Sequence, residues 1–173
     1  MLKELILMKK KTNEILKKVL ERIKPSEKEF KEINEELKKF LNFAKENIKK
    51  NKIKAEIFIG GSLAKGTLIK KKIYDIDIFL RFEEKYAKND ISLLAEKILA
   101  DFKELKKIHG SRDYFRIRVS NNLVFEIVPV IKVNKPKEAY NLTDLSYSHV
   151  KYITKKTKFK KILDEIRLAK AFC

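Results

Sequence analysis

Apolar positions recur along this chain with two different periods, and the change from one to the other separates helical ends from a strand-rich middle. From about Thr12 to Arg22, Ile15, Val19 and Leu20 fall on one helical face. Pro25 interrupts, and Ser26 with Glu29 three residues later forms a capping-box signature. The helix it opens runs to roughly Ile48 and buries Leu37, Phe40, Leu41 and Ala44. The period then shortens. Ala55 to Ile59 and Ile76 to Phe82 read as strands, and Ile91, Leu94, Ile98 and Phe102 return to helical spacing. Tyr114 to Val119 alternates as a half-exposed antiparallel strand, and Asn121-Asn122 turns the chain into a strand from Leu123 to Ile131. Pro129 and Pro136 are read as closing that unit, and Asp144 to Cys173 as two helices. The pattern predicts an α+β fold in one domain over residues 1–173, a mixed sheet flanked by helices. Helices occupy 1–52, the sheet core 53–135 and a helical pair 136–173.

Chemistry enters at Asp75 and Asp77, two carboxylates at an interval of two inside an apolar strand. Residues i and i+2 of a strand share a face and lie roughly 6–7 Å apart, so Ile76 and Ile78 face the core and the aspartates face away together. Like charges so placed are costly unless a cation or partner neutralises them. Mg²⁺ takes oxygen ligands of this kind, through one or two carboxylates plus substrate phosphates. A solvent-facing strand edge is the plainer reading of the same spacing.

About a dozen residues earlier stands Gly60-Gly61-Ser62, a strand-to-helix turn. Glycine permits close backbone approach to a ligand, and a helix start offers unpaired N–H groups to an anion. Ser62 is either a hydroxyl donor to a phosphate or an ordinary N-cap. Glu126 is the single charge in the apolar run Val124 to Ile131. It is a candidate third ligand, or the partner of a nearby cation such as Arg116 or Arg118.

Composition narrows the setting. Forty-four per cent hydrophobic and 38% charged residues over 173 positions suit a globular protein with a heavily solvated surface. Cys173 alone excludes a disulfide framework and points to a reducing compartment. No apolar run approaches the ~20 residues that span a bilayer, and the lysine-studded N-terminus lacks a signal-peptide core, so a cytoplasmic protein without membrane contact is expected. Net charge is +18, from 42 Lys and Arg against 24 Asp and Glu. That excess attracts phosphate backbones, which makes RNA the expected partner; a lysine-biased genome or hot habitat accounts for it equally simply. Lys70-Lys71-Lys72 is the cluster nearest the aspartates, and Lys155, Lys156, Lys158, Lys160 and Lys161 form a second basic stretch, either a nucleic-acid track or a wet loop.

Taken together, GGSLAKGT, DIDIFLRF and FEIVPVIKV resemble the polymerase β-like nucleotidyltransferase superfamily, and within it the archaeal-type (class I) CCA-adding enzymes that rebuild tRNA 3′ ends. NEILKKVLERIKPSEKEF is similar to that family's opening helices. KPKEAYNLTDLSYSHVKYI and EIRLAKAF are similar to its segments with a histidine and a triphosphate-contacting lysine. The resemblance implies metal-dependent transfer of a nucleoside monophosphate from ATP or CTP to an RNA 3′-hydroxyl. In that scheme Asp75, Asp77 and Glu126 hold Mg²⁺, and Gly61, Ser62, Lys65, His149 and Lys170 contact the nucleotide. Lys70, Lys71, Lys72, Arg116 and Arg118 are candidate RNA contacts; exposed alternation explains the two arginines as well, and helix entry explains His149 as well.

Three departures stand out. The family's third carboxylate is usually aspartate, and Glu126 is one methylene longer; a misplacement of about 1 Å can cost on the order of 100-fold in rate. Lys65 stands where arginine is usual, keeping charge without the bidentate fork. The family also continues beyond the point matching Cys173, and the apolar Ile166, Leu168, Ala169 and Phe172 suggest a second polypeptide or another copy as partner. Rival expectations are a minimal nucleotidyltransferase that modifies a protein hydroxyl, and a non-catalytic RNA-binding remnant.

Overall fold

In a computed structural model, which describes residues 1–157 and 159–173, helix α1 spans Leu2–Ile23 and α2 spans Glu27–Lys50. The first helix starts ten residues before the periodic stretch that announces it. The capping box at the start of α2 is formed: Glu29 N–H donates to Ser26 Oγ at 3.2 Å, and Ser26 N–H donates to Glu29 Oε2 at 2.7 Å. Ile33, Leu37, Phe40 and Ala44 make its buried stripe, with Leu41 only half-buried beside them.

Glu29 also receives the Tyr74 hydroxyl at 3.0 Å. Hydrogen bonds from Ser26, with a smaller contribution from Tyr74, hold the Glu29 carboxyl at about 2 against an ordinary 4.5. Burial first, and then Glu29, push the Tyr74 phenol up to about 12. A depressed carboxylate contributes stability that is complete above its unfolded value and lost as pH falls through the folded one. The thermal midpoint of the native chain is therefore expected to exceed that of Glu29→Gln at neutral pH, the gap closing between pH 4.5 and about 2. A gap constant with pH would refute the assignment.

Five strands follow: β1 Ala55–Ile59, β2 Tyr74–Phe82, β3 Leu105–Ile108, β4 Tyr114–Ser120 and β5 Leu123–Ile131. Their order across the sheet is β1-β2-β5-β4-β3. The central β2–β5 pair is parallel and the other pairings are antiparallel. The short α3, Gly61–Ala64, follows β1, and α4, Ile91–Leu99, follows β2, ending before Phe102. Strand β3 has no counterpart in the sequence pattern. Pro129 lies inside β5 and does not close it: the ladder to β4 ends at Phe115–Ile127, and the Pro129 carbonyl accepts from Arg112 Nη1 at 3.3 Å instead.

One sheet face is the core. Ile76, Ile78, Leu80, Phe82, Phe115, Ile117, Phe125 and Ile127 point to it and meet α2 and α4. Phe125 packs edge-on to Phe40 with ring centroids 5.2 Å apart; truncating such a residue costs about 3–5 kcal/mol. Asn47 is buried there too, donating from Nδ2 to the Ile98 carbonyl at 2.9 Å and so tying α2 to α4. The opposite face carries the polar residues of β2, β4 and β5. Two last helices, α5 Ser146–Lys156 and α6 Lys160–Phe172, complete the chain; α5 meets α3, and α6 lies along α1. Ile166 and Leu168 are half-buried, whereas Ala169 and Phe172 are exposed. Of the second basic stretch, Lys158 lies outside the described residues. No helix among the described residues is long and apolar enough to cross a membrane.

Candidate active site

Strand alternation on β2 sends Tyr74, Ile76 and Ile78 into the core and leaves Asp75 and Asp77 half-buried on the other face. The parallel register sets Glu126 of β5 beside Asp77. Three carboxylates thus occupy neighbouring positions on one face. Burial is the main reason that the Asp77 carboxyl titrates above its ordinary range, with Asp75 adding to it and Lys65 opposing. Burial likewise raises Glu126; Arg116 opposes, while Asp75 and Asp77 add to the rise.

The glycine turn is built around Asp77. Gly60 N–H donates to the Asp77 carbonyl at 2.9 Å. Gly61 has φ +57°, and a Cβ there would lie 1.6 Å from Asp77 Oδ2. No other residue type fits, because the left-handed backbone and the close approach both exclude a side chain. A Cβ on Gly60 would meet the Phe79 ring at 2.2 Å. The helix after this turn is a single turn, so the dipole expected for anion binding is small.

Ser62, Lys65, Thr67, His149, Ile153, Ile166 and Lys170 line an open cleft of about 360 Å³. It gathers four of the five residues singled out for nucleotide contact, drawn from α3 and its C-cap, α5 and α6. Lys170 Nζ donates to the Thr67 carbonyl at 3.0 Å. Burial, then Lys71 and Lys65, lower its pKa. Such crowding of cations is favourable only toward an anion. Helix α5 is held over the sheet by Tyr147, whose ring lies 3.7 Å under the Arg81 guanidinium and packs edge-on to Phe58.

On the other flank, Asp75, Glu104, Lys106, Arg116, Arg118 and neighbouring apolar residues line a second groove of about 280 Å³. Arg116 Nη2 lies 3.4 Å from Asp75 Oδ1, and Nε lies 3.1 Å from Glu126 Oε1. That Nε is buried and makes no hydrogen bond among the described residues, so its contact with Glu126 is proximity without alignment. The lysine run divides: Lys70 pairs with Glu29 at 3.7 Å and Lys71 with Asp75 Oδ2 at 3.4 Å, while Lys72 has no ion pair among the described residues.

Hard oxygen donors on one face, two of them raised in pKa mainly by burial, fit a divalent cation by donor chemistry, and Asp77 has no ion pair among the described residues. Among the described residues, however, no three His, Cys, Asp or Glu side chains stand close enough to hold one ion together. Glu126 is turned to Arg116. Asp77 is the one carboxylate of the three without an ion pair among the described residues, and Asp75 and Glu126 join it as donors only by giving up contacts to Arg116 and, for Asp75, Lys71.

Sequence reasoning passed over Asp144. Its fully buried carboxylate accepts from Ile131 N–H at 2.8 Å, Asn141 N–H at 2.9 Å, Tyr140 N–H at 3.1 Å and the Arg112 guanidinium, fixing the segment that leads into α5. The available signal was Asn141-Leu142-Thr143-Asp144, a second capping box.

Residues 8–168 match the Second Messenger Oligonucleotide or Dinucleotide Synthetase domain family. A CCA-adding enzyme of Nanoarchaeum equitans is 39% identical over 139 residues, 78% of this chain and 34% of that protein. The CCA-adding enzyme of Pyrococcus abyssi is 32% identical over 162 residues, 91% of this chain and 35% of that protein. The chain thus spans about a third of the length of these curated relatives. Among solved structures, a cytoplasmic RNA terminal U-transferase superposes with a TM-score of 0.66 at 20% identity, covering 93% of this chain and 44% of its own. E. coli CdnC in a HORMA complex gives 0.67 at 19%, covering 87% and 52%. At these identities the likeness speaks for the fold alone. A sheet with paired aspartates beside a glycine turn, and a sequence match over nearly its whole length, place the chain in the Second Messenger Oligonucleotide or Dinucleotide Synthetase domain family of nucleotidyltransferases.

Proposed function

We propose that this chain is the catalytic portion of a metal-dependent enzyme that adds a nucleoside monophosphate from ATP or CTP to an RNA 3′-hydroxyl, with the tRNA 3′ CCA end as acceptor. The observation that carries this reading is the junction at Gly61: its backbone lies against Asp77 on one side and leads into the cationic cleft at Ser62 and Lys65 on the other. Similarity to CCA-adding enzymes supports the choice of acceptor.

Each residue has a share in that chemistry. Lys65 and Lys170 bring positive charge to the triphosphate, and Ser62 and His149 add donors from either wall. Asp75 and Asp77 would hold Mg²⁺, with Glu126 as a third ligand. Mg²⁺ bound there would neutralise charge on the phosphates and make the RNA hydroxyl a better nucleophile. Because phosphoryl transfer depends largely on positioning, the close fit of Gly61 against Asp77 fixes the carboxylate where the phosphates enter. Arg118 and Lys72, which lack ion pairs among the described residues, suit RNA phosphates better than Arg116, Lys71 and Lys70, whose charges are already met. Regions matching the remaining length of the relatives, on this polypeptide or a second one, would complete the grip on tRNA.

Incubation with tRNA lacking its terminal nucleotides, Mg²⁺ and each labelled NTP in turn tests the proposal. Label from CTP or ATP is expected at the tRNA 3′ end; no label on tRNA with any NTP would overturn it. The family match favours one other acceptor, a nucleotide hydroxyl, as in synthesis of a small oligonucleotide. Labelled product formed from NTP alone, without RNA, would point there instead.

A further inference from the structure

The Arg116 guanidinium spans two of the three carboxylates, touching Asp75 and Glu126. Asp75 is met a second time, by Lys71 on its other oxygen. Asp77 is left without a cationic side-chain partner among the described residues. Cross-strand register makes this arrangement a property of the backbone: Arg116 is the direct partner of Glu126, which is the direct partner of Asp77. Arginine keeps its charge at any accessible pH, so the bridge does not dissolve by deprotonation.

On the reading of this site as a nucleotidyltransferase centre, we infer that Arg116 acts as a built-in counter-cation filling the position between Asp75 and Glu126. The free protein then takes up a single divalent ion, held by Asp77 and by the Asp75 oxygen that Lys71 gives up to it. A second is admitted only when Arg116 swings off Glu126. The acidic face can therefore stay charged and closely spaced without a full complement of metal, and metal uptake at Glu126 becomes a competition between an ion and a tethered guanidinium. Arg116 lies at the wall of an open groove and is itself about two-fifths exposed, so it has room to move outward.

Mn²⁺ titration, followed by loss of the free-ion electron paramagnetic resonance signal, tests this. One Mn²⁺ is expected for the native chain and two for Arg116→Ala, the added ion vanishing again in Arg116→Ala combined with Glu126→Gln. The first ion is also expected to bind Arg116→Ala roughly tenfold more tightly than the native chain, the scale set by half-exposed ion pairs that no longer need breaking, and a stoichiometry of one in Arg116→Ala would overturn the claim of a second ion. Arg116→Gln, which keeps hydrogen-bonding capacity without charge, should behave alike and covers the case in which the alanine variant fails to fold. Identical stoichiometry and affinity in native and variant chains would overturn the inference. Absence of Mn²⁺ binding in every chain would overturn the metal reading along with it. Mn²⁺ binding as expected, with no nucleotide transfer to any acceptor, would sink the proposed function and leave the counter-cation standing.

Discussion

Replacing Asp77 with Asn is expected to reduce nucleotide transfer by roughly 100- to 1000-fold or more while leaving RNA binding intact, the scale for removing one preorganised charge from a phosphoryl-transfer site. The amide has nearly the same shape, so the close approach to Gly61 survives and only the charge is lost. Stability separates this result from misfolding. Burial raises the Asp77 pKa in the folded state, so its ionised form opposes folding, and that penalty grows as pH rises through the raised value. Asn carries no such penalty, so its thermal midpoint at neutral pH should equal or exceed that of the native chain. Primer extension, filter binding and thermal melting together decide the matter. Near-native turnover would remove Asp77 from the chemistry.

Among the polar contacts, the largest stability effect is expected at Asp144→Ala. The side chain has no exposed surface, and the substitution leaves the Arg112 guanidinium and the backbone N–H groups of Ile131, Tyr140 and Asn141 without their acceptor. Breaking a buried charge pair in this way costs about 3–5 kcal/mol, or a fall of roughly 10 °C in the midpoint for a chain of this size. Chemical denaturation and thermal melting would show it. A loss below about 1 kcal/mol would mean that water substitutes for the carboxylate. Since the segment feeds α5, the KM for nucleotide should rise as well, through displacement of His149.

What the sequence disclosed and what it concealed follow from where the determinants lie. The capping box, the α2 stripe and the strand carrying Asp75 and Asp77 depend on residues within a few positions of one another, and these elements appear where their patterns place them. Leu105–Ile108 offers two lysines in four residues, too short and too polar to register as a strand until β4 is there to pair with it. Helix α1 buries none of its residues fully along its whole length, so core packing does not fix where it starts. Lys65, His149 and Lys170 could be singled out only by resemblance, because the cleft joins parts of the chain some 100 residues apart.

The Arg116 bridge was concealed for a subtler reason. Asn121-Asn122 sets a two-residue turn with Ser120 opposite Leu123, and continuing that pairing unbroken would put Ile117 opposite Glu126. An irregularity between Arg118 and Ser120 shifts the register by one, placing Arg116 opposite Glu126 and turning Phe115 and Ile117 to the core. Counting from the turn thus gives the wrong face for the residues of β4 up to Arg118. Either a bridge to Arg116 or metal ligation could be named for Glu126 in advance, but not chosen between.

Helix α6 gathers three successive carbonyls of the segment after the glycine turn: Arg167 binds those of Gly66 and Leu68, and Lys170 binds that of Thr67. Asp164 of the same helix reaches back to Lys24 at 2.8 Å, just past the end of α1. Helix α6 thereby links the loop that borders the cleft to the residue that follows α1. Opening of α6 would release residues 66–68 together with it, making these segments one cooperative unit whose amides exchange with solvent in concert.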